Sequence, residues 1–184
     1  MDTRLLCWAR AVKARHAPSR IPVLWLFTDP QRLPDPRRAV AALPRGLCGV
    51  VFRHDDAALG HDLARICRAR RNVLVVAGNW RLAAALGAGV HLRRGIGPGR
   101  GGLVTSSAHN RVELRRARRA GAMLVFLSPV FATATHAGAV GLGVVRWTAM
   151  ARGGDVAALG GIDGGSVRRL PRFCVAVGAI GALV

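Results

Sequence analysis

The sequence lacks several features that would assign a protein to a class at once. None of its four cysteines (Cys7, Cys48, Cys67 and Cys174) belongs to a Cys-x-x-Cys pair, which argues against structural zinc and a disulfide framework. No apolar run reaches the roughly 18 residues that span a bilayer, and the charged residues 1–16 do not resemble a secretory signal. We therefore expect a cytoplasmic protein with no membrane partner, whose cysteines are buried as reduced thiols.

Acidic residues are scarce, lysine is almost absent, and tyrosine is absent. Nine Asp and Glu stand against 28 Lys and Arg, so the formal net charge is +19; Lys13 is the only lysine and there is no tyrosine. The arginines are dispersed along the predicted helices, without the interleaved aromatic residues that single-strand binders use for base stacking. We favour solvated helix faces over a nucleic-acid site, which stays a less favoured alternative, and the charge would also attract small phosphorylated ligands.

What the sequence has in quantity is apolar residues in short runs. Half of its 184 residues are hydrophobic, which is enough for a core, and the length predicts a single domain. Helical segments are predicted at 4–16, 35–43, 56–70, 80–86, 109–120, 144–152 and 166–170. The predicted strands lie at 23–28, 47–52, 73–77, 89–92, 103–106, 122–127, 156–159 and 174–177.

This alternation of strands and helices predicts an α/β fold with a parallel sheet. The strands are apolar throughout, as expected for strands buried on both faces. Eight units favour a compact (β/α)8 TIM barrel with shortened helices over an open sheet, with the barrel at residues 21–184 and an extra N-terminal helix within residues 1–20. The last helix is missing, so we expect the leading helix to cover the bottom or side. Any side left exposed would favour a homodimer.

Polar and glycine residues collect where several predicted strands end. In such barrels the active site lies at the carboxyl ends of the strands, with a phosphate site formed by the last two loops. Residues 128–143 turn from an apolar strand to hydroxyls, one imidazole and glycines, which predicts a ligand-facing loop. The candidates at this end are Asp29, Arg53, His54, Asp55, His91, Ser106, His109, Ser128, Thr133, Thr135, His136, Gly160, Gly161 and Gly178.

Several of these candidates also have a purely structural interpretation. Arg53 could pair with Asp29 or Asp55, and His91 could pack inside the barrel. His109 could belong to a capping turn, and Gly160 with Gly161 could form a tight turn. His136, among Thr and Gly residues, is the hardest to explain as core, which favours ligand contact and an acid–base role near neutral pH.

Six segments, in order along the chain, resemble motifs of the thiamine phosphate synthase/TenI family. The resemblance runs from Val23 to Ile180, and the order and spacing of the segments make it specific. The segments are Trp-Leu-Phe-Thr-Asp at 25–29, Gly-Val-His-Leu at 89–92, Ser106 and His109 with Glu113 and Ala117, Ser-Pro-Val-Phe-Ala-Thr-Ala-Thr-His at 128–136, Ala-Leu-Gly-Gly-Ile at 158–162, and Val-Ala-Val-Gly-Ala-Ile at 175–180.

The resemblance implies a reaction and roles for particular residues. Family members join hydroxymethylpyrimidine pyrophosphate to thiazole phosphate and release pyrophosphate, through a cationic pyrimidine. Arg53 would bind the pyrophosphate, and Arg53 and His136 are our catalytic candidates. Phosphate-binding roles fall to the hydroxyls of Thr133 and Thr135 and to the backbone of Gly160 and of the turn 178–180, which adds Ile180 to the candidates.

The sequence also departs from the family pattern. The resemblance implies Mg²⁺, but the family's Asn-Asp falls on Ala77-Gly78, and its second metal-binding Asp falls near Ile96, where no carboxylate is present. Val51, Asp55 and His136 replace a Gln and two Lys of the family. Arg93 and Arg94 could neutralise a pyrophosphate without metal, and a site rebuilt from Asp29, Asp55 or Asp56 is the alternative.

These departures leave a second hypothesis open. The chain could be a catalytically altered TenI-type paralogue, either thiazole tautomerase-like or a binder of a phosphorylated ligand. TenI-type isomerases place a His where this chain has Pro129, which disfavours the tautomerase. Dependence of turnover on metal would separate a synthase from the altered paralogue.

Overall fold

A computed structural model describes residues 1–16, 21–98, 102–133, 141–153 and 155–184. Eight parallel strands pair in sequence order, and β8 closes on β1, so the predicted (β/α)8 barrel is confirmed. The strands are β1 (Leu24–Phe27), β2 (Cys48–Phe52), β3 (Val73–Ala77), β4 (Gly89–Leu92), β5 (Val104–Ala108), β6 (Leu124–Leu127), β7 (Val156–Leu159) and β8 (Val177–Ala179).

The helices lie outside the strands and are short, as predicted. They are α1 (Thr3–Arg15), α2 (Arg37–Ala42), α3 (Ala57–Ala69), α4 (Trp80–Leu86), α5 (Arg111–Arg119) and α6 (Gly143–Ala151), with 3-10 turns at Ser166–Arg169 and Gly181–Leu183. The bounds of β3, α4, β4 and β7 match the prediction. Helix α4 is delimited by local signals, because the Asn79 side chain accepts a hydrogen bond from Leu82 N–H at its start and Gly87 is left-handed at its end.

The other elements differ from the predicted bounds by one to three residues, and two of these differences move a candidate site residue. Helix α5 begins at Arg111, not 109, because the side chain of Asn110 accepts a hydrogen bond from Glu113 N–H and so caps the helix there. His109 therefore belongs to the loop after β5. Strand β8 begins at Val177, not 174, and includes Gly178, which pairs with Trp25 of β1.

Two large aromatic side chains fill the inside of the barrel, and two glycines make room for them. Trp25 and Phe27 are buried in an interior cluster with Phe126. A Cβ at Gly49 would lie 2.4 Å from the Trp25 ring, and one at Gly178 would lie 2.7 Å from the Phe27 ring. The absence of a side chain at Gly49 and Gly178 thus lets aromatic rings from β1 occupy the barrel interior.

Helix α1 occupies the position of the missing eighth helix. At its start, Asp2 Oδ2 accepts a hydrogen bond from Gly164 N–H at 2.7 Å, and Asp2 N–H donates to the Ala182 carbonyl beyond β8. At its end, Lys13 Nζ donates to the carbonyl oxygen of Gly46, just before β2. The helix therefore runs antiparallel to the strands along the barrel side, as one of the predicted placements. An exposed side no longer argues for a homodimer, and the oligomeric state stays a prediction.

The cysteines differ in environment. Cys48, Cys67 and Cys174 are buried free thiols, and burial raises the pKa of each to about 12. Cys7 is exposed on α1, so the expectation that every cysteine is buried is wrong for this one. None of the described helices is long and apolar enough to cross a bilayer.

Candidate functional site

The carboxyl ends of the strands surround two cavities. We call the first the glycine cavity; it measures about 550 Å³, and its lining comes mainly from the loops after β1, β6, β7 and β8. We call the second the arginine cavity; it measures about 870 Å³ and lies at the loops after β2, β3 and β4. It is lined by Asp55, Ala77, Gly78, Asn79, Trp80, Arg81, Arg93, Arg94 and Ile96.

The loops after β6 and β7 are joined by backbone hydrogen bonds and form one wall of the glycine cavity. Val130 N–H donates to the Leu159 carbonyl at 2.9 Å, and Phe131 N–H donates to the Gly160 carbonyl at 3.1 Å. The Ser128–Pro129 peptide bond is cis. These hydrogen bonds hold Ser128, Pro129 and Thr133 at the cavity lining.

The glycine turn after β7 is closely packed as well as exposed to the cavity. Gly160 and Gly161 have φ values of +96° and +64°, which favour glycine, and a Cβ at Gly161 would lie 2.6 Å from the Ala132 carbonyl oxygen. Ser166 Oγ donates to the Gly161 carbonyl at 2.8 Å. The tight-turn interpretation of these glycines is therefore satisfied, and their backbone also lines the cavity.

Arg53 follows β2 and is held at the rim of the glycine cavity by the loop after β1. Its Nε donates to the Thr28 carbonyl, and its Nη2 lies 2.9 Å from Asp29 Oδ2. Burial acts to raise the pKa of Asp29, but N–H groups of Arg32 and Gln31 and the charge on Arg53 outweigh it, so the pKa is lowered. The structural ion pair is thus formed, while the Arg53 side chain stays 33% exposed and accessible to a ligand.

His109 and Ser128 form a second polar group at the same cavity. His109 Nδ1 lies 3.0 Å from the Ser128 carbonyl oxygen and 3.3 Å from Ser128 Oγ. The backbone N–H of His109 donates to Glu113 Oε2 at 2.8 Å, which fixes the loop on α5. Because a carbonyl oxygen can only accept, Nδ1 is the donor in this contact.

His91 lies inside the barrel and lines neither cavity. It is 3% exposed, its Nδ1 lies 2.9 Å from Thr105 Oγ1, and its ring meets that of Phe27 edge to face. Burial lowers the pKa of His91 to about 3, with the charges on Arg53 and Arg93 adding to the effect. His91 is therefore neutral at physiological pH, and its geometry fits the packing interpretation.

Ser106 is fully buried and positions a neighbouring turn. Its Oγ donates to the Leu92 carbonyl and accepts from Gly95 N–H at 3.0 Å. Ser107 Oγ accepts from Arg94 N–H at 3.2 Å, in the same turn. The two serines of β5 thus anchor the turn that follows β4, at the edge of the arginine cavity.

The Mg²⁺ that the resemblance implies does not fit the donors present. Ala77, Gly78 and Ile96 line the arginine cavity, where three arginines stand against the single carboxylate of Asp55. Asp29 is paired with Arg53, and Asp56 caps α3 by accepting Leu59 N–H. In the described part of the chain, no three His, Cys, Asp or Glu side chains are grouped as ligands of a metal.

The structure brings most of the sequence candidates together. Thr135 and His136 lie outside the described residues, and His91 and Ser106 line neither cavity. The candidates that line the glycine cavity are Arg53, His109, Ser128, Thr133, Gly160, Gly161, Gly178 and Ile180. The sequence analysis missed Asp2, Phe27 and Arg32 in this lining; Asp2 gave no signal beyond its helix-capping position, since its placement depends on α1 lying beside β7 and β8.

Comparison with known proteins assigns the family. The family model for thiamine monophosphate synthase (TMP-TENI) matches residues 24–180. The chain belongs to this family. No curated protein matches the chain significantly. The family assignment agrees with the six motifs, which all lie within the matched residues.

Solved structures of similar fold include a family member. Thiamine phosphate pyrophosphorylase from Pyrococcus furiosus aligns with a TM-score of 0.67 at 19% identity, over 87% of this chain and 86% of that one. A structure described as native KDPGal aligns with a TM-score of 0.56 at 15% identity, over 88% and 83% of the two chains. At these identities, the similarity shows a shared barrel fold.

Proposed function

We propose that this member of the thiamine monophosphate synthase family is a transferase of thiamine biosynthesis that forms thiamine phosphate. In the proposed reaction, the CH2–O bond of hydroxymethylpyrimidine pyrophosphate breaks, and its electron pair leaves with pyrophosphate. The thiazole nitrogen of thiazole phosphate donates its lone pair to the resulting CH2 cation and forms the new N–C bond. No proton is lost or gained, and the thiazolium carries the positive charge.

One observation carries this proposal: Arg53 lines the glycine cavity together with the loops after β6 and β7, which we call the glycine wall. The wall offers hydroxyls and glycine backbone, which can approach a phosphate closely. Arg53 lies at the opposite rim, where its guanidinium can stabilise charge that develops on a leaving oxygen. The cavity therefore has a phosphate-binding side and a cationic side, as joining two phosphorylated substrates requires.

The residues divide the work as follows in this proposal. Thr133 and the backbone of Gly160 and Gly178 hold the thiazole phosphate. Arg53 binds the pyrophosphate and, through Asp29, keeps its orientation before substrate enters. Phe27, whose ring lies 5.7 Å from the Arg53 guanidinium carbon, supplies an apolar face that excludes water from the cation. The proposal also gives the Thr135 hydroxyl a role in phosphate binding and His136 an acid–base role.

A second candidate function is supported by the arginine cavity. The positions where the family has metal-binding carboxylates are Ala77-Gly78 and Ile96 here, and arginines surround them. This favours an altered paralogue that binds a phosphorylated ligand without catalysing the joining step. The two functions bind similar ligands and differ in turnover.

The experiment is to measure thiamine phosphate formation by the purified chain from both substrates, with Mg²⁺ and with EDTA. We expect turnover, and we expect Arg53→Gln to lower kcat by about 100-fold, the usual cost of removing one donor to a developing charge. Arg37→Gln is the matched control, because Arg37 is also ion-paired, to Asp35 and Asp62, but on the outer helices. Absence of turnover in both buffers would leave the altered paralogue.

A further inference from the structure

The lining of the arginine cavity is more positively charged than its own carboxylates can balance. Its lining holds Arg81, Arg93 and Arg94 against one carboxylate, Asp55. Arg94 reaches Glu113 only at 3.9 Å and is 62% exposed, so little of its charge is neutralised. No ion pair of Arg81 or Arg93 is present among the described residues. The cavity therefore carries an excess of positive charge that an anion would balance.

The arginines at 93 and 94 are presented by an anchored turn. Ile96 N–H donates to the Arg93 carbonyl at 3.0 Å, and Arg93 and Ile96 form an isolated antiparallel bridge. The hydroxyls of Ser106 and Ser107 hold the backbone of Gly95 and Arg94. Arg94 has a φ of +55°, a backbone conformation that costs energy for a side chain other than glycine. Such strain, held in place by hydrogen bonds to two serine hydroxyls, is typical of a site that positions a group for binding.

Arg93 lies across the backbone of Gly78. A Cβ at Gly78 would lie 3.6 Å from Arg93 Nε, an ordinary van der Waals distance, so the Arg93 guanidinium lies beside the Gly78 backbone. Burial is the main reason for the lowered pKa values of Arg53 and His91, and the charge on Arg93 contributes to both. The charge on Arg93 thus acts at the same end of the barrel as that on Arg53.

An aromatic face completes the cavity. Trp80 is 42% exposed at the lining, and the guanidinium of Arg81 lies 4.6 Å from its ring centre. This contact holds the Arg81 guanidinium near the ring while leaving its N–H groups available. Three guanidinium groups from two segments, the start of α4 and the turn after β4, can donate to several phosphate oxygens at once, as a diphosphate offers.

We propose that Arg81, Arg93 and Arg94 form a diphosphate-binding site that needs no divalent metal. The guanidinium groups take the place of a metal ion as the positive charge beside Gly78. The identity of the anion as a diphosphate rests on the proposed function, whereas the metal-independent binding rests on the cavity itself. The site extends the cationic rim at Arg53 away from the glycine cavity.

The test is calorimetric binding of inorganic pyrophosphate to the full chain in EDTA and in Mg²⁺. We expect binding in EDTA, weakened at least tenfold by Arg93→Gln, since charge-assisted hydrogen bonds to phosphate are lost. Arg10→Gln on α1 is the control of equal charge change, and we expect it to alter the Kd less than twofold. Binding that requires Mg²⁺, or an equal loss in both variants, would overturn the proposal.

A second variant tests the site without removing an arginine. In Gly78→Asp, the new carboxylate would lie next to Arg93 and pair with it, so we expect a tenfold loss of pyrophosphate affinity in EDTA with Tm measured alongside. Unchanged affinity in a folded variant would contradict the proposal. Thiamine phosphate formation is followed on the same samples: binding in EDTA without turnover removes the proposed function alone, and turnover with strictly Mg²⁺-dependent binding removes this inference alone.

Discussion

The glycine cavity and the arginine cavity lie at the same end of one barrel and are built by different means. The glycine cavity uses the backbone and hydroxyls of two loops that hydrogen bond to each other, with Arg53 and Asp29 already paired at its rim. The arginine cavity uses long charged side chains from the start of α4 and from the turn after β4, with Asp55 as the single carboxylate in its lining. One is shaped by the positions of main-chain atoms, and the other by charge.

This difference predicts different sensitivities. A backbone wall changes little with salt, but it is disrupted by any added side-chain atom. Guanidinium groups at an exposed cavity tolerate changes in shape and lose strength as salt screens them, with a screening length of about 8 Å at physiological ionic strength. Substitutions that add a single methyl group or alter one charge should therefore separate the two cavities.

The largest expected effect comes from Gly161→Ala in the glycine cavity. Its Cβ would lie 2.6 Å from the carbonyl oxygen of Ala132 and 2.7 Å from Phe131 Cβ, and φ is +64°. We expect a loss of about 3 kcal/mol in the free energy of unfolding, from overpacking plus backbone strain. Urea denaturation measures it.

The matched control for this prediction is Gly87→Ala. Gly87 has a φ of +61°, and a Cβ there would meet nothing within 4 Å, so only the backbone cost of about 1 kcal/mol remains. Pyrophosphate binding at the arginine cavity should persist in both variants. Equal destabilisation by the two substitutions would show that the glycine wall is not closely packed.

The sequence predicted the barrel well because its signals are local. Strands β3, β4 and β7 are apolar runs ended by glycine or polar residues, and α4 is bounded by Asn79 and Gly87, so their bounds needed no tertiary information. Strand β8 was misplaced because Gly178 suggests a turn in the sequence, whereas in the structure it pairs with Trp25 and makes room for the Phe27 ring, both on the neighbouring strand β1, which is distant in sequence.

The site was harder to predict because a residue's direction depends on packing. His91 lies near the end of β4 as expected, whereas Ser106 lies in the middle of β5, and their side chains contact Thr105 and the turn after β4. The arginine cavity joins Arg81, at the start of α4, to Arg93, after β4, and the pairing of β3 with β4 brings these two segments together. The position of Asp2 at the glycine cavity could not be predicted, because it depends on α1 taking the place of the eighth helix.

The next prediction concerns His91, which is buried inside the barrel. The unfolded chain protonates His91 near its ordinary pKa of 6.5, whereas burial lowers the folded pKa to about 3. Between these values the unfolded state binds more protons, so this residue makes stability fall as pH falls, with a limiting slope of about 1.4 kcal/mol per pH unit. Denaturation of the chain and of His91→Gln between pH 7 and pH 4 measures it.

His91→Gln should reduce this slope, with pyrophosphate binding at pH 7 unchanged because the ring is neutral there and lines neither cavity. A parallel loss of stability in both proteins over the whole range would contradict the assignment. A change in pyrophosphate affinity at pH 7 would instead mean that His91 contributes to the arginine cavity, and the division between the two cavities would need revision.

The smallest effect tests whether α1 belongs to the glycine cavity. The hydrogen bond from Gly164 N–H, followed by those from Leu5 and Arg4, lowers the pKa of Asp2 against desolvation. Its stabilising contribution is therefore complete above the unfolded pKa near 3.8 and is lost as pH falls through the lower folded value. We expect Asp2→Asn to lower Tm by a few degrees at most at pH 7, with the difference shrinking toward pH 2.

Asp35→Asn is the comparison for Asp2→Asn, because the Asp35 carboxylate also accepts a backbone N–H, from Arg37, but lies on the loop before α2. Both variants should lose a similar small amount of stability. Asp2 lines the glycine cavity and Asp35 does not, so of the two substitutions Asp2→Asn is the one that removes a negative charge from the phosphate-binding side. Affinity for thiazole phosphate should rise two- to threefold in Asp2→Asn and stay constant in Asp35→Asn; an equal response would mean that α1 closes the barrel side without influencing the ligand.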